Sequence, residues 1–327
     1  MHKEKTTISS DVSQLPTSMS LLIIVCFFLS GLAGLVYEVV WARQLSLFLG
    51  ITSYAHTAVI TAYMAGLAAG SFYFGRRADQ HSQPLKLYAW LEIGVGVYAA
   101  LTPWLITFLQ SIYTGFVDIS TIGEMSGYLT RFIIALLALL IPTFLMGGTL
   151  PLLVRGFITK LPELGRMTSR LYGINTLGAM LGTLLAGFLL LPKLGITATI
   201  FIGVVINLGI AAIVLVMLRQ TRVSVEPEPV VTEPVVTEQE RLVSEDRLST
   251  ASRYVLLIAF ATAGFAALLT QMAWIRALIL VVGGSVYAFT ITLASFLAGI
   301  GLGSLFFTRY LANPGAWLAR PWLRERM

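Results

Sequence analysis

The chain has 327 residues, 57% of them hydrophobic and 12% charged, with mean hydropathy +0.83 and a formal net charge of +6. Soluble domains carry about 25% charged residues, so this composition excludes a water-soluble globule and predicts an all-α, polytopic membrane protein. The single cysteine, Cys26, excludes a disulfide within the chain, and the basic excess lies in loops between apolar runs, which reports membrane orientation and not nucleic-acid binding.

Residues 1–18 are polar and mixed in charge and read as a disordered cytoplasmic tail. They have no compact signal-peptide pattern, and the apolar run behind them is too long for one. A membrane span needs roughly 20 mostly apolar residues. About eight such runs follow, at 19–42, 54–75, 87–110, 131–154, 168–191, 196–218, 254–282 and 286–308. The first six form one membrane half, residues 19–218. Residues 219–252 contain the tandem EPVVTEPVVTE and read as an acidic, flexible linker that cannot bury a core. Residues 253–310 open a second half, and 311–327 form a short basic tail.

The second half begins as a copy of the first. Gly31–Arg77 aligns without a gap on residues 264–310 at an offset of 233, with 17 of 47 pairs identical. The identities include Trp41 with Trp274, Arg43 with Arg276, Tyr54 with Tyr287, Gly66 with Gly299 and Gly70 with Gly303. Membrane composition alone does not produce a shared Trp-x-Arg followed by Gly and Tyr-Ala-x-Thr, so this is a true internal repeat. Its unit is a pair of spans in the same orientation.

Lysine and arginine fix the predicted orientation. Arg76, Arg77 and Lys86 follow span two; Arg155, Lys160, Arg166 and Arg170 follow span four; Arg309, Arg320, Arg324 and Arg326 follow span eight. The loop after span three carries Asp118 and Glu124 instead. The positive-inside rule places both termini and the linker in the cytoplasm, with Arg43 and Lys193 as exceptions on short outer loops. Trp41 and Trp274 then sit at matched outer ends, where interfacial anchoring accounts for them.

Gly66-x3-Gly70, Gly178-x3-Gly182 and Gly299-x3-Gly303 each put two glycines on one helix face, where backbones can approach closely. Pro142 and Pro151 flank Met146-Gly147-Gly148 and should break span four, with the freed carbonyls satisfied by neighbours.

Ionisable groups inside spans are costly and are the functional candidates. Glu38 and Arg43 near the outer end of span one and His56 at the start of span two are placed to form a charged cluster at the outer mouth; a structural ion pair is the alternative. Glu92 lies about six residues into span three, roughly 9 Å from its cytoplasmic end, where a carboxylate can take a proton or meet an ammonium group. Snorkelling to the surface is the alternative there. Asn175 and Asn207 fit helix–helix hydrogen bonding, with Asn175 also a substrate-site candidate. No catalytic constellation, metal spacing, phosphate loop or cofactor motif is present in the sequence.

Two resemblances follow from these strings. Parallel six-helix halves resemble the plan of the major facilitator superfamily, which places a substrate path between halves. The loop Gly75-Arg76-Arg77-Ala-Asp79 resembles that superfamily's signature, departing at Gln80 and Ser82. More narrowly, SGLAGLVYEVVWARQLSLFLG at 30–50, MAGLAAGSFYFGRRAD at 64–79, PTFLMGGTLPLLVR at 142–155 and RLYGINTLGAMLGTLLAGFLLLPKLG at 170–195 resemble the membrane region of bacterial spermidine-synthase-like proteins. That resemblance implies a multi-pass protein of the bacterial inner membrane, linked to polyamines and to a cytoplasmic aminopropyltransferase-like domain or partner. It implies four further spans and a Rossmann-type domain beyond what this chain holds, so the chain is read as a fragment or as lacking those parts. The family's catalytic residues have no positions here to occupy. Two functions fit: a transporter-type module for a small cation, or a membrane anchor that moves nothing.

Overall fold

The computed structural model describes residues 17–49, 52–78, 80–116, 124–157, 164–223, 249–283 and 285–311. We label its helices α1 (Thr17–Leu49), α2 (Thr52–Ala78), α3 (Pro84–Phe116), α4 (Glu124–Gly147), α5 (Thr149–Phe157), α6 (Leu164–Leu185), α7 (Leu191–Val223), α8 (Thr250–Val282) and α9 (Ser285–Phe306). A π-helical turn, Ala186–Leu190, joins α6 to α7, and another, Phe307–Leu311, extends α9. No strand occurs among the described residues, and seven helical stretches are long and apolar enough to cross a membrane.

The expected spans five and six form one of those seven stretches, Gly165–Gln220, of 56 residues. A straight helix of that length would run about 84 Å, far beyond a 30 Å hydrocarbon core. The packing shows why it does not. Gly178 lies against Phe28 and Gly182 against Leu32, so α6 runs parallel to α1. On α7, Gly203 abuts Tyr37, whereas Val216 and Met217 line a cleft with Met19 and Leu22. The chain therefore runs antiparallel to α1 by then and has reversed. Gly195, at φ 75° and ψ −178°, supplies the non-helical step in between.

Helix ends repeat at the same offset as the sequence. Adding 233 to Thr17–Leu49 gives Thr250–Val282, and adding it to 52–78 gives 285–311, which is α9 with its π turn. The second copy shows how the local signals work. Ser249 caps α8 by accepting the Ser252 N–H at 3.1 Å, and Gly283 ends it in the left-handed region at φ 74°.

The carbonyls freed at Pro142 and Pro151 are satisfied by neighbouring helices, and the one freed at Pro103 within its own helix. Pro151 removes the donor for the Gly147 carbonyl, and Ser71 Oγ donates to that carbonyl at 2.8 Å. Pro142 frees the Ala138 carbonyl, which accepts the Tyr98 hydroxyl at 2.7 Å. Pro103 frees the Ala99 carbonyl, which accepts Thr102 Oγ1 at 2.7 Å. Span four is interrupted at Gly148, between α4 and α5.

Glycine contacts set the helix spacing. A Cβ on Gly66 would stand 1.8 Å from Thr143 Oγ1 and one on Gly70 1.9 Å from the Phe144 carbonyl oxygen, so α2 and α4 touch through backbone. Gly178 and Gly182 do the same for α6 on α1. Gly299 and Gly303 do not: nothing lies within 4 Å of either. Their first-copy equivalents press on α4, and α4 has no counterpart in the described part of the second copy. Gly301 packs instead, with its Cβ position 3.0 Å from Leu177.

Other boundaries also shift. α1 continues to Leu49, so Arg43 lies on a helix and not on a loop, and Lys193 lies in α7. α7 continues to Val223 and α8 starts at Thr250; residues 224–248 of the expected linker, most of both tails, and Asp79 lie outside the described residues. Trp41 is no interfacial anchor. It is fully buried and donates from Nε1 to Thr102 Oγ1 at 3.2 Å, while Trp274 is exposed. The helix runs past Trp41 for two further turns, which places the indole inside the bundle.

Candidate functional site

α1 is the central helix, buried against α2, α6 and α7, and its polar residues sort onto different neighbours. Ser30, Tyr37 and Trp41 face α3 and α7, as their bonds below show. Gly34 faces α2, where its carbonyl accepts the Tyr63 hydroxyl at 2.8 Å.

Glu92 sits on α3, 1% exposed, at the meeting of three helices. Ser30 Oγ of α1 donates to its Oε1 at 2.6 Å. Asn207 Nδ2 of α7 donates to its Oε2. Tyr37 of α1 donates to Asn207 Oδ1 at 2.9 Å. The hydroxyl of Tyr88 lies beside the same carboxylate without hydrogen-bond geometry, and buried Cys26 is within its electrostatic reach. Gly203 makes this possible, because a Cβ there would stand 2.5 Å from the Tyr37 ring. Glu92 is thus no snorkelling side chain. Both its oxygens accept from neutral donors on other helices.

Glu38 is also 1% exposed, and its Oε1 is buried without a hydrogen-bond partner. Tyr63 lies within electrostatic reach of both Glu38 and Tyr37. The expected cluster of Glu38, Arg43 and His56 is not formed: no ion pair joins them. Arg43 is exposed and lines a cavity of about 350 Å³ with Gly187, Pro192 and Tyr287. His56 is 3% exposed and stacks on Phe289, with centroids 4.8 Å apart and planes 18° apart. Its Nδ1 is buried without a partner. The physical reason is helical phase. Glu38 and Arg43 are five residues apart, about 140° around α1, so they cannot share a face.

Asn175 donates from Nδ2 to the Phe27 carbonyl at 2.8 Å and so joins α6 to α1 beside Gly31. Arg76 and Arg77 are exposed and cover the rings of Phe72 and Tyr73 at 4.0 and 5.3 Å, and Gly75 touches Pro151. No group of three or more metal-ligating side chains assembles among the described residues.

Among those residues, Glu38 and Glu92 are the buried carboxylates, and no lysine or arginine is buried with them. Burial of a carboxylate in a low-dielectric bundle requires its charge to be neutralised. With no lysine or arginine buried beside them among the described residues, a bound proton is one way to neutralise them.

Compared with protein-family models, with curated proteins and with solved structures, the chain matches none.

Proposed function

We propose that this chain is the eight-span membrane module of a spermidine-synthase-like protein, built on a major facilitator-like plan and handling a small cation. The observation that carries this reading is the pair of buried carboxylates, Glu38 and Glu92, without a buried lysine or arginine among the described residues. The reversal at Gly195 supports eight crossings, and the exact offset of helix ends supports the parallel repeat. The repeat-equivalent residues His56 and Phe289 stack on each other, as equivalents do where a two-fold axis passes.

The two acids take different roles. Glu92 is already satisfied by Ser30 and Asn207 and holds α1, α3 and α7 in register. Glu38 keeps an unpartnered oxygen and is the position for the proton or ammonium ion. In the second copy Gln271 stands at its place, so one acid serves one site. The localisation that goes with this reading is the bacterial inner membrane, with both termini cytoplasmic and an aminopropyltransferase-like domain or partner on that side.

The test is spermidine binding to the purified chain, with uptake into proteoliposomes. Glu38→Gln is expected to weaken binding at least tenfold, about 1.4 kcal/mol, with helicity unchanged. A wild type that binds no spermidine and carries no spermidine-coupled proton flux removes the transport reading and leaves the membrane anchor. Unchanged binding in Glu38→Gln removes Glu38 from the site.

A further inference from the structure

Arg43 and Arg276 are equivalents in the internal repeat, retained while 30 of the 47 aligned pairs differ. Neither belongs to the carboxylate site. Both are exposed, and neither makes an ion pair among the described residues.

Each arginine lines a cavity built by both halves. Arg43 of α1 lines the cavity of about 350 Å³ with Val286 and Tyr287, in the first turn of α9. Arg276 of α8 lines one of about 280 Å³ with His56 and Thr57, near the start of α2. The arrangement is reciprocal: in each case the arginine of one copy meets the start of the second helix of the other copy. The stack of His56 on Phe289 joins the same two helix starts.

The chemistry of each cavity selects an oxyanion. A guanidinium presents a planar fork of donors that matches phosphate and carboxylate. Gly195 leaves the first cavity open beside Arg43, with nothing within 4 Å of its Cβ position, while Gly187 brings the opposite wall close to Thr290 of α9. In the second, His56 is 3% exposed and its Nδ1 has no partner, so a ligand there has a second polar group to meet. No described acid lines either cavity.

We propose that Arg43 and Arg276 form a pair of phosphate-class oxyanion sites, one in each cavity between the two repeats. The anion has two sources, the headgroup of a phospholipid in that leaflet or free phosphate in the adjoining water.

The full chain, purified in a neutral detergent, is loaded with phosphatidylglycerol or with diacylglycerol, which lacks the phosphate. Bound lipid is counted by native mass spectrometry. A parallel arm measures protection from thermal unfolding by inorganic phosphate. The expected result for a headgroup is two phosphatidylglycerol molecules retained by the wild type, one by Arg43→Gln or Arg276→Gln, and none by the double variant, with diacylglycerol not retained. Protection by inorganic phosphate that is lost stepwise in the same variants, without lipid retention, assigns the free anion instead. Arg43→Lys and Arg276→Lys keep the charge and lose the fork, and they are expected to bind at least tenfold more weakly than wild type. Retention or protection in the double variant equal to wild type overturns the proposal, as does its absence from the wild type. Circular dichroism of the double variant checks that the bundle is intact.

Discussion

Replacing Asn207 tests whether Glu92 locks the bundle. Asn207→Leu keeps the branching at Cγ, with a larger side chain, but strips Glu92 Oε2 of its donor and the Tyr37 hydroxyl of its acceptor. Each buried polar group left unpaired costs about 1–3 kcal/mol, more if charged, so the substitution should destabilise by roughly 2–6 kcal/mol. Glu92→Leu alone orphans the Asn207 amide and the Ser30 hydroxyl. Ser30 can turn to a carbonyl of its own helix, so about 1–3 kcal/mol remains from the amide. The double variant removes both members of the bond at once. Its cost should fall short of the sum of the singles by about 2–6 kcal/mol, since the orphaned Glu92 Oε2 of one single and the orphaned Asn207 amide of the other are both absent from the double. Unfolding in mixed micelles by graded addition of dodecyl sulfate gives the three free energies. Additivity within about 0.5 kcal/mol, the behaviour of independent sites, would refute the network.

Two further outcomes are expected. Gly178→Ala should destabilise, because its Cβ falls 2.0 Å from the Phe28 carbonyl oxygen, whereas Gly299→Ala, with nothing within 4 Å, should gain up to about 1 kcal/mol of helix propensity; the same unfolding assay reads both, and equal signs would contradict the packing. For orientation, a cysteine placed at position 232 should resist an impermeant thiol reagent in intact cells and react after lysis, with native Cys26 silent because it is buried; labelling before lysis would reverse the topology.

The helices and the repeat were legible in the sequence because both are periodic and local. Trp41, Gly50 and Tyr54 recur at a fixed offset, and the helix ends recur at that same offset. The proline breaks were legible for the same reason, since a missing N–H frees a known carbonyl. The identities of the capping hydroxyls, Ser71 and Tyr98, were not, because they reach across from other helices. Glu92 shows the same boundary. Its place within a span could be read directly, but its partners Ser30 and Asn207 lie 62 and 115 residues away, and only packing of α1, α3 and α7 brings them together. Trp41 was misread because helix length past an apolar run is invisible to hydropathy. The cluster of Glu38, Arg43 and His56 was expected from their shared place at the outer ends of two spans, and helical phase, which hydropathy does not report, keeps Glu38 and Arg43 on different faces.

The contrast between the two copies follows where each position lies in the bundle. Arg43 and Arg276, retained in both, are exposed, and each lines a cavity to which both copies contribute. Positions that differ, Glu38 with Gln271 and His56 with Phe289, lie buried in the bundle. A second carboxylate at Gln271 would place another charge to be neutralised in low dielectric, with no described lysine or arginine buried beside it. A second imidazole in place of Phe289 would put two polar rings face to face where the present stack pairs one polar ring with one apolar ring. The asymmetry therefore follows from burial: an ionisable group inside the bundle is tolerated once more readily than twice. On this account the single acid at Glu38 and the paired arginines are products of one constraint, the cost of charge where the bundle excludes water and its absence where the bundle opens.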